Sequence, residues 1–141
     1  MDCSLFVNLP VRNVVASSAF YAALGAEWDD RFGNGSAAMM RFADNVAVVL
    51  VRHDRFAGSL ARELVDARSH NQMLLRLNCA DRAAVDRLAA IANWAGGRAD
   101  PIPSQDCGFI YGRGFEDPDG HVWEAVWMDT KAAAREQMQP A

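Results

Sequence analysis

The sequence predicts a single α+β domain built from two β-α-β-β-β modules. Hydrophobic residues make up 51% of the 141 residues, which is enough for a buried core and too many for a disordered chain. The order strand, helix, three strands occurs twice, in residues 4–52 and 73–128, and residues 53–72 connect the two modules. Because matching segments recur at matching spacing, we expect one domain over residues 1–141 that arose by internal duplication.

The first module begins with alternating apolar and polar residues at 4–11, which predict a strand. Asn13 is a residue type that caps helices, and the apolar stripe after it predicts a helix over 14–24 that Gly25 ends. The turn-forming pairs that follow divide the rest of the module into three strands, predicted at 26–32, 36–42 and 46–51.

The second module repeats this order, with a strand predicted at 73–78 and a helix over 82–94 that Asp81 caps. Three further strands are predicted at 98–102, 109–116 and 121–128. The last two flank Asp117-Pro118-Asp119-Gly120, a combination that favours a tight turn, and therefore form a hairpin. The connector contains a predicted helix over 59–68, which would be a lid, a dimer element or a plain linker. The polar tail, residues 129–141, is given no function.

Superposing the two modules along the sequence brings chemically different residues together: Phe6 matches Leu74, Asn8 matches Arg76, and Val49 matches Glu124. Glu124 lies in the middle of a strand that is otherwise apolar on both faces. A carboxylate in such a position requires a partner, a metal or a proton.

Charge and composition exclude several classes of function. The net charge of −4 comes from scattered charges of both signs without a basic stripe, so nucleic acid is not an expected partner. No apolar run reaches the roughly 20 residues of a membrane span, and the N-terminus lacks the features of a signal peptide. The three cysteines have no CxxC spacing and fit free thiols in the cytoplasm, where we expect the protein to be.

Three motifs carry a resemblance to a known family. They are Asn-Leu-Pro-Val at the end of the first strand, Ser-x-x-Phe-Tyr-x-x-Leu-Gly from Ser17 to Gly25, and Asp-Pro-Asp-Gly-His-x-Trp-Glu from Asp117 to Glu124. Together with the two modules, over residues 4–128, they resemble the vicinal oxygen chelate superfamily of glyoxalases, bleomycin-resistance proteins and extradiol dioxygenases. The resemblance implies that the sheets curve into one cup, that the site lies inside the cup, and that the protein is a homodimer.

Enzymes of this superfamily typically hold a divalent metal with four side chains, and the resemblance places these positions on Phe6, Val49, Leu74 and Glu124. Only Glu124 can ligate a metal, and one carboxylate is too few for Zn²⁺, Ni²⁺ or Fe²⁺. We therefore expect no metal cofactor, which argues against both the glyoxalase reaction and extradiol ring cleavage. A displaced site built from His53, His70 and Glu124 would be strained, so the histidines are expected at the surface or at strand ends.

Strand alternation predicts the residues that line the cup. They are Phe6, Asn8, Val49, Leu74, Arg76 and Glu124, with Tyr111 and Arg113 of the neighbouring strand adding a hydroxyl and a second cation. We expect Arg76 to neutralise Glu124, either directly or across a ligand. Such a pair either fixes the docking of the modules or binds a ligand, and both interpretations stay open at this point.

Three functions follow from these residues together with what the resemblance implies. The first is a metal-free protein that binds a small hydrophobic or aromatic molecule in the cup. The alternative is a lyase or isomerase of glyoxalase type, similar to lactoylglutathione lyase, that uses a metal or Glu124 as a catalytic base. The third is an interaction protein whose dimer matters more than its cavity.

Overall fold

The first module forms a four-stranded sheet in the computed structural model, which describes residues 2–138. Its elements are β1 (Leu5–Val11), α1 (Val14–Ala23), β2 (Glu27–Asn34), β3 (Ala37–Ala43) and β4 (Val46–Arg52), followed by the short helix α2 (His53–Gly58). The strand order is β1-β4-β3-β2, with β1 parallel to β4 and the other pairs antiparallel. One edge of this sheet is therefore β1 and the other is β2.

The second module forms a five-stranded sheet of the same design. Its elements are β5 (Leu74–Asn78), α3 (Arg82–Trp94), β6 (Arg98–Ala99), β7 (Gln105–Asp106), β8 (Ile110–Glu116), β9 (Val122–Met128) and the terminal helix α4 (Thr130–Met138). The order is β5-β9-β8-β6, with β7 paired to β8 beside it, and β5 is parallel to β9. The prediction of an α+β fold with two β-α-β-β-β modules is confirmed. Residues 1 and 139–141 of the predicted domain lie outside the described residues.

Both long helices begin at the predicted caps. The side-chain oxygen of Asn13 accepts a hydrogen bond from the backbone N–H of Ala16 at 3.0 Å, and Asp81 accepts one from Ala84 at 2.7 Å. Each cap satisfies one of the N–H groups that the first turn of a helix leaves without a partner. The helices of the two modules are therefore capped in the same way.

The registers of the two parallel strand pairs agree with the superposition made from sequence. Asn8 lies opposite Val49 where β1 meets β4, and Arg76 lies opposite Glu124 where β5 meets β9. An apolar residue in the first module thus takes the place that a carboxylate has in the second.

The helix predicted over 59–68 is wrong, because the helix of the connector is α2, which ends at Gly58. Beyond it, the Asp66 carboxylate accepts a hydrogen bond from the backbone N–H of Arg68 at 2.9 Å and contacts the Arg12 guanidinium at 3.2 Å. Such local bonds from an aspartate to nearby backbone compete with helix formation.

The strand predicted over 98–102 is also wrong in length. It stops at Ala99, because Asp100 has a φ of 56° and two prolines follow within three residues. Positive φ takes the chain out of the extended conformation, and proline cannot donate to the next strand. The sequence analysis did not predict β7.

A single core joins the two modules through the helix-bearing faces of their sheets. Phe20 of α1 lies 6.4 Å from Phe115 of β8 between ring centroids, and Phe42 of β3 lies 5.6 Å from Trp123 of β9. Both sheets therefore bury the face that carries their helix against the same core. The opposite face of each sheet, which we call its cup face, points away from that core.

Candidate functional site

Arg76 and Glu124 form an ion pair on the cup face of the second sheet. The guanidinium Nη2 of Arg76 lies 3.0 Å from Oε1 of Glu124, and the two residues are direct neighbours on β5 and β9. The side chain of Glu124 is 10% exposed, whereas that of Arg76 is 52% exposed. Of the two expected arrangements, directly or across a ligand, the structure shows the direct contact, and the pair lies within one module.

The ion pair leaves the carboxylate incompletely satisfied. Oε1 of Glu124 is fully buried and accepts no hydrogen bond from any residue within 2–138. The contact with Arg76 is close enough for charge attraction, but no N–H of the guanidinium is directed at this oxygen. A buried acceptor without a donor has lost its hydration without a replacement, which costs free energy in the folded state. Oε2 also receives no hydrogen bond from residues 2–138 and is not fully buried, so the carboxylate can still accept one there.

The neighbouring strand carries glycines beside Glu124, and other groups fill the space over them. Gly114 lies opposite Glu124 on β8, and a Cβ added at Gly112 would be 3.3 Å from Oε1 and from Cγ2 of Val126. Ile102 packs over Gly114, where its Cγ1 would be 2.7 Å from an added Cβ. The carboxylate is therefore bordered by the backbone of β8 and by the aliphatic side chain of Val126, with Ile102 over the glycine opposite it.

An open cavity of about 400 Å³ adjoins this floor. It is lined by Asn71, Gln72, Met73, Leu74, Ile102 and Val122. Leu74, one of the predicted site residues, is 47% exposed there. The cup face of the second module thus combines an apolar wall with one buried carboxylate and one half-exposed guanidinium, which is the usual composition of a small-molecule site.

The predicted placement of Tyr111 and Arg113 in the cup is wrong. On β8 they lie opposite Trp127 and Ala125, which belong to the helix-bearing face. Neighbours that lie directly opposite in an antiparallel pair point to the same face, so the even-numbered residues of β8 share the face of Glu124.

Both displaced side chains bind acidic residues beside α3. The hydroxyl of Tyr111 donates to Oδ1 of Asp86 at 2.6 Å, and Arg113 donates to the same oxygen at 3.0 Å. Arg113 also forms an ion pair with Asp100 at 2.7 Å. The hydrogen bond from Tyr111, followed by the one from Arg113, lowers the pKa of Asp86. These groups fasten α3 to the sheet and are not part of the candidate site.

The predicted residues of the first module lie on the cup face of its own sheet. Phe6 is 43% exposed and has the Arg41 guanidinium 5.6 Å from its ring centroid, while Asn8 is exposed and Val49 is half-buried. Because the two cup faces point away from the shared core, Phe6, Asn8 and Val49 form one set and the residues around Glu124 form another.

The donors present do not suit a divalent metal ion. Of the four positions expected from the resemblance, Glu124 alone carries an atom that ligates metals, because phenylalanine, valine and leucine have no lone pair. Among residues 2–138, no three His, Cys, Asp or Glu side chains are grouped in a way that could hold a metal. Nε2 of His121 lies 2.7 Å from the carbonyl oxygen of Pro10, and Nδ1 of His70 lies 2.9 Å from the hydroxyl of Ser69.

A buried polar network that the sequence analysis missed joins α1 to the hairpin turn. The hydroxyl of Tyr21 donates to Oδ2 of Asp117 at 2.7 Å and accepts from the indole N–H of Trp123 at 3.0 Å. The other carboxylate oxygen of Asp117 accepts from the backbone N–H groups of Asp119 and His121, each at 2.9 Å. The sequence could have indicated this network, since Tyr21 lies in the motif from Ser17 to Gly25 and Asp117 begins the motif that ends at Glu124.

Burial dominates the electrostatics of this network. It raises the pKa of Asp117 above the ordinary 3.8, although the nearby His121 and the hydrogen bond from Tyr21 act in the opposite direction. It also raises the pKa of Tyr21 well above 10.0, with the charge of Asp117 as the next cause. The network therefore positions the hairpin that carries Glu124, and its atoms are too deeply buried to meet a ligand.

The connector lies across the seam between the edge strands β1 and β5. Arg68 donates to the carbonyl oxygen of Pro118 at 2.9 Å, and Asp66 contacts Arg12 at 3.2 Å. Beneath it is a cavity of about 210 Å³, bordered by both strands and by connector residues that include Leu64 and His70. Because it is tethered to both modules, the connector covers the seam.

No helix within residues 2–138 has the length and apolar character needed to cross a membrane.

Comparison with known proteins gives structural neighbours only. No family model matches the chain, and no curated protein matches it in sequence. Hypothetical protein SA1046 from S. aureus is similar at 26% identity and a TM-score of 0.76, covering 90% of this chain and 95% of that one. A glyoxalase-related enzyme from Fulvimarina pelagi is similar at 20% identity and a TM-score of 0.74, covering 90% and 88%.

A third solved structure is the bleomycin-binding protein from Streptomyces verticillus, complexed with copper(II)-bleomycin. It is 18% identical, with a TM-score of 0.57, and the match covers 89% of this chain and 95% of that one. Identities at this level establish the fold. The expected resemblance is therefore confirmed as a shared fold.

Proposed function

We propose that this chain, which has the glyoxalase/bleomycin resistance/dioxygenase fold of the vicinal oxygen chelate superfamily, binds a small hydrophobic or aromatic molecule without a protein-held metal. One observation carries the proposal. Of the four positions that hold a metal in related enzymes, only Glu124 could bind a metal ion here, and it is already paired with Arg76 at 3.0 Å. The residues at the other three positions, Phe6, Val49 and Leu74, can contact an organic molecule but have no atom that ligates a metal ion.

The apolar surface around the pair supports an organic ligand. Leu74 and Val122 line the cavity of about 400 Å³ beside Glu124, and Ile102 closes one side of it. A cavity of this size accommodates a small ring system, and most of its wall can exclude water from such a ring. The bleomycin-binding protein is a structural neighbour that holds an organic ligand, copper(II)-bleomycin.

We also propose that two copies of the chain complete the cup. Within one chain the two cup faces point away from each other, and each exposes large apolar side chains on or next to an edge strand, Phe6 in the first module and Met73 and Leu74 in the second. Exposed apolar groups next to a sheet edge are typical of surfaces that associate. In such a homodimer, the Phe6 face of one protomer covers the Glu124 face of its partner. The free cysteines support a cytoplasmic location.

Three measurements on the purified protein test this function. Elemental analysis should find no transition metal near one equivalent per chain. A thermal-shift screen of hydrophobic and aromatic metabolites should find ligands that raise the melting temperature, because a ligand bound only to the folded state stabilises it by mass action. Size-exclusion chromatography with light scattering should give the mass of a dimer.

The alternative, a glyoxalase-type lyase or isomerase, predicts different results. A buried carboxylate beside an apolar cavity is the kind of group that a catalytic base would need. The enzyme is therefore tested directly with methylglyoxal and glutathione, with and without added Ni²⁺ or Zn²⁺. Turnover that Glu124→Gln abolishes would replace the binding function by the lyase. A stoichiometric metal ion that the same substitution removes would refute the metal-free site.

A further inference from the structure

We infer that the ligand is a neutral planar amide or lactam, bound through an edge that presents one N–H donor beside one carbonyl acceptor. This inference rests on the proposed function, since it names the chemistry of the molecule bound at the same site. It follows from the juxtaposition of an unsatisfied acceptor on Glu124 with the half-exposed donors of Arg76.

The acceptor side of the site is Glu124. An ionised carboxylate only accepts hydrogen bonds, and neither oxygen of Glu124 receives one from residues 2–138. Oε1 is completely buried, so Oε2 is the oxygen that a ligand can reach. The strand beside it contributes no side chain, because Gly112 and Gly114 lie there. A ligand N–H directed at this carboxylate would supply the donor that the protein omits.

The donor side is Arg76. Its guanidinium carries five N–H groups in a rigid plane, and within residues 2–138 it has one carboxylate partner, Glu124. About half of the side chain, 52%, is exposed, and Leu74 of the cavity wall lies two residues before Arg76 on the same face of β5. The remaining N–H groups are therefore available to a ligand carbonyl that lies next to the donor bound by Glu124.

The charge balance favours a neutral ligand. Arg76 and Glu124 carry opposite charges 3.0 Å apart, so an anion attracted by one is repelled by the other, and the same holds for a cation. A neutral amide meets both groups at once, with its carbonyl on the cation and its N–H on the anion. Each of these bonds is charge-assisted and is stronger than a bond between neutral groups.

The surroundings of the pair favour an amide attached to a hydrophobic group. Ile102 fills the space over Gly114, and the Glu124 carboxylate and Val126 fill the space over Gly112, so a ligand lies beside these glycines. Leu74, Val122 and Ile102 form apolar walls of the adjoining cavity. An aromatic ring attached to or fused with the amide contacts these walls while its polar edge meets the ion pair.

Four matched probes test the inference by titration of the full-length protein, followed by ¹H–¹⁵N NMR. Benzamide offers donor and acceptor, N,N-dimethylbenzamide offers the acceptor alone, benzoate is the anion and benzylamine is the cation. We expect benzamide to bind at least about five-fold more tightly than each of the others, a modest ratio because exposed polar contacts contribute little each. Equal affinities, or a preference for benzoate or benzylamine, would overturn the inference.

Two substitutions assign the contacts. Glu124→Met should reduce the ratio of affinities for benzamide and N,N-dimethylbenzamide to about one, since it removes the acceptor. Arg76→Met should weaken both amides and retain that ratio, since both share the carbonyl. Arg52→Met is the control: Arg52 is 51% exposed and pairs with Asp54 at 2.7 Å, but it lies at the far end of β4. It should leave all affinities unchanged.

Failure of the inference and failure of the proposed function give different results. If hydrophobic compounds of the thermal-shift screen stabilise the protein while benzamide binds no more tightly than the other three probes, the site binds organic molecules and the inferred amide ligand is wrong. If neither the panel nor any of the four probes binds, the proposed function is wrong and the inference falls with it. Should Glu124→Met not fold, the ratio in the unmodified protein and the Arg76→Met titration still decide.

Discussion

Removing the hydroxyl of Tyr21 should destabilise the whole protein, because this group joins the two modules inside the core. In the substitution Tyr21→Phe the ring stays the same size, so packing around Phe20, Phe42 and Trp123 is preserved. Two hydrogen bonds are lost: the hydroxyl no longer donates to Asp117 at 2.7 Å, and it no longer accepts from the indole of Trp123 at 3.0 Å.

The size of the effect follows from the burial of both partners. A hydrogen bond to a charged group contributes about 1.5–3 kcal/mol, and an orphaned buried N–H costs about 1–3 kcal/mol. Because neighbouring groups relax, we expect the free energy of unfolding to fall by roughly 3 kcal/mol rather than by the full sum. With an unfolding entropy of about 2.1 cal/mol/K per residue, a chain of 141 residues should melt about 10 °C lower.

The assay is urea denaturation followed by tryptophan fluorescence, with calorimetry for the melting temperature. Tyr111→Phe is the matched control, since it removes the same atom from a bond of 2.6 Å to the exposed Asp86. That change should cost about 0.5 kcal/mol or less, as is usual for surface positions. If both substitutions cost the same, the buried network does not hold the modules together and the reasoning fails.

Three further predictions concern the hairpin and the ion pair. Burial raises the folded-state pKa of Asp117 above 3.8, so its contribution to stability is fully present below 3.8 and is lost as pH rises through the raised value. The stability of the protein minus that of Asp117→Asn, measured by urea titration at a series of pH values, should therefore fall as pH rises from 3.8. Gly120→Ala should destabilise the protein by more than about 1 kcal/mol, because φ is 92° there and the new Cβ would lie 2.9 Å from the backbone nitrogen of Arg68. Gly35→Ala is the control and should be nearly neutral, since its Cβ would meet nothing within 4 Å. Arg76→Leu should lower the free energy of unfolding by about 1 kcal/mol, a small effect because the Arg76 side chain is 52% exposed and solvent screens the charge. An unchanged denaturation midpoint would mean that the 3.0 Å ion pair contributes nothing to stability.

Local chemistry made most of the fold predictable from the sequence. Asn13 and Asp81 begin helices because their short side chains reach the first free N–H groups. Asp117 and Gly120 make the hairpin turn, one by bonding its own following backbone and the other by adopting a φ of 92°. Each of these choices involves residues close in the chain, so no knowledge of the tertiary structure was needed.

The connector was mispredicted because its conformation depends on distant residues. The apolar pattern of 59–68 suits a helix, but Asp66 and Arg68 are held by Arg12 and by the carbonyl oxygen of Pro118. These partners are 54 and 50 residues away in the chain. Tertiary contacts of this kind override local helix preference, and a pattern within one segment contains no trace of them.

The site was predictable where one strand alone decided it and unpredictable where register decided it. Glu124 and Arg76 were found because a charge in an apolar strand is visible in sequence, and strand alternation placed both on the face that lines the cup. Tyr111 and Arg113 were misplaced because the face of β8 depends on which residue lies opposite Glu124, and that residue is Gly114. A shift of register by one residue exchanges the two faces of a strand, and alternation within the strand cannot reveal the shift.

The two modules share one design and differ in chemistry at the same register position. Asn8 and Val49 in the first occupy the places of Arg76 and Glu124 in the second. If two copies join their cup faces, the amide of Asn8 from one protomer faces the ion pair of its partner across an otherwise apolar space. Only the second module carries a carboxylate at this position, and that carboxylate has a cation beside it. The proposed ligand would therefore meet its polar partners in one module and apolar side chains with one amide in the other.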